Sequence, residues 1–316
     1  MKQPPWIYCL ILLLTCCVSE QAKSPFTFKK TDQGVELQEK SKSVFFYQKM
    51  PKSLNDEYIC NNYLHPLYNL NGDTITEEFP ADHPYHRGIF WAWHQVYIDG
   101  KSVGDGWIME DLEQVVVNVE PILKEQIAQL KINVLWKSSH FENNKPFLSE
   151  FTTITVYPSQ NDIRKIDFVI SLQALVTGVK IGGSDDGKGY GGLCARLKLP
   201  EDLTFTSKDG AVVPQTLQIE AGPFMDFSAS FNGRGKSGVS ILCHPETPNY
   251  PAPWILRSKT SMQNIVFPGR NQIGIPVDKP LSLFYRLIIN NGNLNSVQLK
   301  KLQAEYEKTE AVKALY

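Results

Sequence analysis

Between residues 127 and 136 the chain alternates, with Ile127, Gln129, Lys131 and Asn133 set against Ala128, Leu130, Ile132 and Val134. Successive side chains of a strand point to opposite faces, so this pattern demands a sheet with one buried face. The run Phe151-Thr152-Thr153-Ile154-Thr155-Val156-Tyr157 is equally strand-like, and Val44-Phe45-Phe46-Tyr47, Val115-Val116-Val117-Asn118-Val119, 163–176 and 281–289 continue the theme. Turn signals separate these runs: Asn71-Gly72-Asp73, Asp99-Gly100, Asn143-Asn144-Lys145-Pro146, Asp209-Gly210, Asn232-Gly233 and Asn291-Gly292. Many closely spaced strands without intervening helices point to a sandwich or barrel rather than βαβ units. The persuasive helix is C-terminal. Asn295 or Ser296 is placed to cap it, and Leu299, Leu302 and Tyr306 form its apolar stripe. The expectation is an all-β fold: one large antiparallel β-sandwich, residues 26–316, with a short C-terminal helix. No linker or repeat divides it.

The N-terminus reads as an export signal. Lys2 supplies a positive start, and 7–14 is an apolar stretch of signal-peptide length, too short to span a bilayer. It ends Leu14-Thr15-Cys16-Cys17, which resembles a bacterial lipobox. Cys17 is the expected lipidation site, with Cys16 as the alternative and ordinary secretion as the competing reading. Residues 1–17 are thus assigned to a signal and 18–25 to a tether. The expected location is the periplasm or envelope of a Gram-negative bacterium, with membrane contact through the lipid alone. A balance of 32 Lys and Arg against 33 Asp and Glu provides no basic field for nucleic acid.

Removing the signal leaves Cys60, Cys194 and Cys243, an odd and widely spaced set. That is not a disulfide framework, and no CxxC spacing supports a zinc cluster. One bridge and three buried thiols are both open.

Three of the six histidines lie in one segment, Asp82-His83-Pro84-Tyr85-His86-Arg87-Gly88-Ile89-Phe90-Trp91-Ala92-Trp93-His94. Imidazoles move protons near neutral pH or bind metals, arginine clamps anions, and tryptophan offers a flat apolar face. If 89–98 is one strand, Phe90, Ala92 and His94 share a face opposite Trp91, Trp93 and Gln95. His83, His86 and His94 are the catalytic candidates, with Asp82 placed to orient an imidazole. Arg87, Trp91, Trp93 and Arg196 are candidate substrate contacts. His65 and His244, each followed by proline in loop-like sequence, join them. The competing reading is a structural turn with core tryptophans. His83, His86 and Arg87 are expected in the largest pocket, with Arg196 or His244 on its wall.

The stretch Gly182-Gly183-Ser184-Asp185-Asp186-Gly187-Lys188-Gly189 approaches phosphate-loop spacing, but Gly189 stands where Ser or Thr should hold magnesium. The residues that follow read as strand, so the segment is a loop, a candidate lid, leading to Arg196. GxSxG, HExxH and dinucleotide fingerprints are absent. Glu77, Glu78, Asp82, Glu150 and Glu246 are all candidate acid/base partners, and spacing singles out no pair.

The histidine motif, with Gly191-Gly192-Leu193, Arg196-Leu197, Pro223-Phe224-Met225-Asp226-Phe227-Ser228 and Pro253-Trp254-Ile255-Leu256-Arg257, resembles a family of exported bacterial proteins labelled PmoA-like. The resemblance covers roughly 40–290. It implies gene company with glycan degradation and an all-β fold similar to the galactose-mutarotase supersandwich. The late glutamate of mutarotases has no counterpart in 267–286. A true particulate methane monooxygenase subunit is a bundle of membrane helices, and no segment after the signal is long and apolar enough for one.

The expected function is carbohydrate-active: an enzyme acting on a glycan or sugar derivative through a His/Arg pocket. The alternatives are a non-catalytic glycan-binding lipoprotein and a metal-dependent oxidoreductase. No cofactor is predicted, and a divalent metal stays open because His65, His83, His86 and His94 lack a diagnostic ligand spacing.

Overall fold

The computed structural model describes residues 24–233 and 235–310. Cys17, the signal assigned to 1–17 and most of the tether lie outside the described residues. Two large antiparallel sheets carry the fold. The front sheet has eight strands in the order Phe26–Lys30, Gly34–Glu39, Lys42–Gln48, Tyr63–Leu67, Ile89–Trp93, Gly191–Ala195, Gln263–Ile265 and Trp254–Ile255. The back sheet has nine, running Leu112–Lys124, Ile127–Ser138, Leu148–Val156, Ile163–Ala174, Leu281–Asn291, Ser237–Cys243, Phe224–Ala229, Thr204–Ser207 and Gly210–Ala211. A four-stranded sheet and a short hairpin flank them. Among the described residues no helix is long and apolar enough to cross a membrane.

The alternation seen in 127–136 has a direct structural cause. Ala128, Leu130, Ile132, Val134 and Trp136 all enter the main core, while Gln129, Lys131 and Asn133 face outward half-exposed. Helix Ser296–Glu307 is capped by Asn295, whose side chain accepts from the Gln298 amide in a reciprocal capping box. Its stripe of Leu299, Leu302 and Tyr306 covers Phe224, Leu242 and Ile288 on the outer face of the back sheet. Cys60, Cys194 and Cys243 are free buried thiols. Burial pushes the Cys243 thiol up to about 12, away from the thiolate that redox or metal chemistry needs.

The expected strand 89–98 is two strands. Ile89–Trp93 belongs to the front sheet and Gln95–Ile98 pairs with Val179–Gly182 in the four-stranded sheet. His94 sits at the break, where the Trp93 carbonyl accepts from the Gly106 amide.

Trp91 and Trp93 are core residues, 1% and 0% exposed, so neither presents a ring to a ligand. This corrects their assignment as substrate contacts. Trp93 donates its indole N–H to the Phe267 carbonyl. Trp91 donates to Glu150 Oε1 at 2.7 Å, crossing from the front sheet to the back. Glu150 also accepts from Asn62 Nδ2, Thr152 Oγ1 and, on Oε2, Trp136 Nε1. A buried carboxylate without a cation is costly, and four converging donors offset that cost. Burial raises the Glu150 pKa, and its donors pull the other way without cancelling the effect.

Glu150→Gln presents an amide nitrogen to at least one of these donors and should cost about 1–3 kcal/mol, the penalty of an unsatisfied buried group. The check is a urea midpoint shift at unchanged slope. Because the folded-state pKa is raised, the wild-type contribution is full below the ordinary value of 4.5 and is lost as pH rises through the folded value. The glutamine variant should lack that component, so the stability gap between the two proteins should narrow as pH rises through this range.

Candidate functional site

Parity sends the other side of strand Ile89–Trp93 outward. Phe90 and Ala92 join Tyr63, Cys60, Cys194, Met262 and Trp107 in a second buried cluster on the outer face of the front sheet. Loops containing residues 77–88, 105–111, 183–190 and 256–262 gather over this floor. Gly88 is where the first of them enters the sheet. Its φ is +49°, and a Cβ there would lie 1.9 Å from the Leu64 carbonyl oxygen, so only glycine fits.

Asp82 ties the loops together. Its Oδ1 accepts from Arg196 Nη2 at 2.7 Å, and its Oδ2 from Arg196 Nη1 at 2.9 Å and the Ser261 amide at 2.6 Å. The same Oδ2 lies 2.9 Å from His83 Nδ1. Arg196 is 4% exposed and also donates Nε to Glu77 Oε2 and Nη1 to the Ser261 carbonyl. Partial burial opposes ionisation of Asp82, but Arg196, the Ser261 amide and His83 together hold its carboxyl well below the usual range. Thr260 and Ser261 are both left-handed, with φ of 50° and 62°. For non-glycine residues that conformation persists only where surroundings impose it, and it concentrates at functional sites.

An orienting carboxylate on Nδ1 selects the His83 tautomer that leaves Nε2 as the free acceptor. His83 lines an open cleft of ≈ 480 Å³ with Tyr190, Lys188, Arg257, Lys259 and Ser261 among its other walls. Tyr190 arrives from the glycine-rich loop. That loop is held by Asp186, whose Oδ1 accepts from Ser184 Oγ and the Lys188 and Gly189 amides. Strand Gly191–Ala195 follows it directly, as the rejection of a phosphate loop requires. Arg257 donates Nη2 to the Tyr190 hydroxyl at 2.6 Å and fixes the ring on the cleft wall.

A second Asp–His pair stands nearby. His94 Nδ1 is 2.8 Å from Asp105 Oδ2, while Asp105 Oδ1 accepts from the Trp107 and Ile108 amides. The His94 ring stacks on Trp107 at 4.9 Å, and Trp107 meets Tyr190 at 5.5 Å. His86 bridges the two regions: it stacks on His83 at 4.7 Å and meets Trp107 edge-on at 6.1 Å. It is only 2% exposed, and its Nδ1 has no partner. Burial first, then the neighbouring His83, Arg196 and Arg87, push its pKa down to about 2. His86 is therefore a neutral ring behind the wall rather than a proton carrier on it.

The remaining candidates separate. Arg87 is 1% exposed, donates Nη1 to the Tyr85 and Trp107 carbonyls and lies over the Phe90 ring at 4.8 Å. It buttresses two site loops from beneath, which corrects its reading as a substrate clamp. Arg196 also stands behind the wall, its guanidinium engaged by Asp82 and Glu77. His65 bonds Thr76 Oγ1, and burial lowers its pKa to about 4. His244 is remote: it bonds the Thr309 carbonyl and packs against Tyr306 of the C-terminal helix. The expectation of the largest pocket also fails, because a hollow of ≈ 780 Å³ lies beside that helix, lined by Tyr157, Lys165, Arg286 and Lys301 among others. Among the described residues no three His, Cys, Asp or Glu side chains are grouped to hold a metal ion.

The profile of a family of unknown function, DUF6807, matches residues 34–304. The chain belongs to that family. The match spans the back sheet, all of the front sheet but Phe26–Lys30, the site loops and most of the C-terminal helix. No curated protein matches the chain.

Asp82→Asn tests the frame. Charge-assisted bonds are worth about 1.5–3 kcal/mol each, and partial exposure of Asp82 places the expected loss near the lower figure. The depressed pKa means that Asp82 stabilises the fold above its ordinary value of 3.8 and loses that contribution as pH falls. Chemical denaturation of both proteins should show the gap closing as pH is lowered from 3.8.

Proposed function

We propose that this protein is an exported carbohydrate-active enzyme in which the Asp82–His83 pair moves a proton on a sugar bound in the adjoining cleft. One observation carries the reading: an imidazole oriented through Nδ1 by a firmly ionised carboxylate lines an open cleft beside an aromatic ring. His83 supplies an imidazole nitrogen for acid/base chemistry, Asp82 sets its tautomer, and Tyr190 offers a face to a sugar ring. Hydroxyls of Tyr190, Thr216, Ser258, Thr260 and Ser261 provide donors and acceptors suited to a polyol. His94 with Asp105 is a second acid/base pair next to the same aromatic wall. The resemblance to PmoA-like exported proteins and to the mutarotase supersandwich, together with the lipobox, supports the envelope location and the substrate class.

A second reading rests on the lining itself. It contains no Asp or Glu, so the paired carboxylates used by most glycosidases have no counterpart there. That favours either histidine-based chemistry or a binding module that does no chemistry.

His83→Ala separates the two. Turnover of a responsive glycan should fall ~100- to 10,000-fold while affinity changes little, the mark of a lost acid or base. Tyr190→Ala should instead weaken binding about tenfold, roughly 1.4 kcal/mol. Both are read by turnover and calorimetry on the same preparations, after a glycoside panel screened with and without divalent metal. Wild-type turnover by His83→Ala would remove the acid/base role. Binding without chemistry across the panel would support the binding module.

A further inference from the structure

The cleft carries more positive charge than a neutral sugar needs. Three of the residues on its walls are cationic, Lys188, Arg257 and Lys259, and none is a carboxylate. Lys188 is compensated by Asp186 at 3.4 Å. Arg257 and Lys259 make no ion pair among the described residues. Arg257 is half-buried and spends its donors on the Gln215, Leu256 and Thr216 carbonyls and on the Tyr190 hydroxyl. Those are neutral acceptors, so they hold the guanidinium in place without cancelling its charge. Asp82 and Glu77 lie close by, but both are turned onto the buried Arg196. One anchored cation, Arg257, and one mobile cation, Lys259, both uncompensated, therefore face the same space as His83 and Tyr190.

Resting on the carbohydrate reading above, we infer that the cleft takes an acidic saccharide, one bearing a carboxylate or sulfate that sits against Arg257 and Lys259. With its Nη groups engaged by the wall, Arg257 acts on the anion as a positioned charge, and Lys259 adds a mobile point charge with free donors. The sugar hydroxyls then meet Ser258, Thr260 and Ser261, and the ring lies toward Tyr190.

The test is calorimetric binding of three oligosaccharides to the mature protein: an oligogalacturonate, a sulfated galactan fragment and a neutral galactan fragment of equal length. The inference expects at least one acidic oligosaccharide to bind ~10-fold or more tightly than the neutral one, and to weaken as salt is raised from low to physiological. Which acidic ligand wins tells carboxylate from sulfate. Lys259→Glu is the informative variant, because Lys259 is exposed and holds no structural bond in the wall. It should reduce acidic-ligand affinity ~10-fold or more, well beyond any change in neutral-ligand affinity. Arg257→Lys, which keeps the charge, should give a smaller loss. Circular dichroism and the thermal midpoint confirm that each variant is folded. Equal or tighter binding of the neutral fragment overturns the acidic-sugar inference and leaves the carbohydrate reading standing. An unchanged acidic-ligand affinity in Lys259→Glu also overturns it. Binding of inorganic sulfate but of no saccharide overturns both.

Discussion

Glu150 belongs to the back sheet yet takes a hydrogen bond from Trp91 of the front sheet, and the orientation of the front strand follows from that contact. A strand offers only two faces. Once the Trp91 indole is committed to a buried carboxylate, Ile89 and Trp93 must also point inward, and Phe90 and Ala92 must point out. A slip of one residue would take the Trp91 donor away from Glu150 and expose two tryptophans. At the far edge, Glu39 of the front sheet meets Arg164 of the back sheet at 2.9 Å, with both side chains buried. These polar staples do not make the sandwich cohesive, since the apolar core does that. They select one register, because a displaced partner would leave a buried charge unpaired.

The candidate site is built on the face that this selection leaves over. Its floor is the reverse side of the strand that holds Trp91, and its walls are loops that the sheets bring together from four parts of the chain. Arg196 lies behind the wall as the common partner of Asp82, Glu77 and the Ser261 carbonyl. The charged groups thus divide into two sets. Arg87 and Arg196 hold loops in place from within, whereas Arg257, Lys188 and Lys259 face the cleft. Sequence proximity does not mark that division. Arg87 sits inside the densest run of candidate chemistry and is buried, while Lys259 sits in an unremarked turn and is exposed.

The histidines make the same point. His83 and His86 are three residues apart and stack on each other, yet one lines the cleft and the other is sealed with its Nδ1 unpartnered. His244 shares the His-Pro dipeptide with His65 and His83 and ends up under the C-terminal helix. The polar groups around Gly88 are dense in the sequence, and they lie in one of the loops over the Phe90 and Trp107 floor. That density could not rank the members, because exposure depends on what packs above each ring. Trp107, Asp105, Tyr190, Arg257 and Lys259 were missed as site residues for the converse reason. Asp105 and Trp107 lie in an Asp-Gly-Trp turn, Tyr190 in a glycine-rich loop and Arg257 at the end of a motif quoted only for its family resemblance, and none of these signals states what the residue will stand beside.

The sequence by itself determined the period-two strands, the turns between them, the capped C-terminal helix and the glycine at position 88. Each of these follows from local sterics, from the two-faced geometry of a strand or from hydrogen bonds between residues a few positions apart. The tertiary structure alone decided which face of Ile89–Trp93 is interior, where the strand breaks at His94, and that Asp82 finds Arg196 and Ser261 over separations of 114 and 179 residues. Those outcomes depend on burial and on charge pairing across the sandwich. Both are properties of neighbours in space, and a pattern along the chain carries no record of which distant residue will supply the missing hydrogen bond.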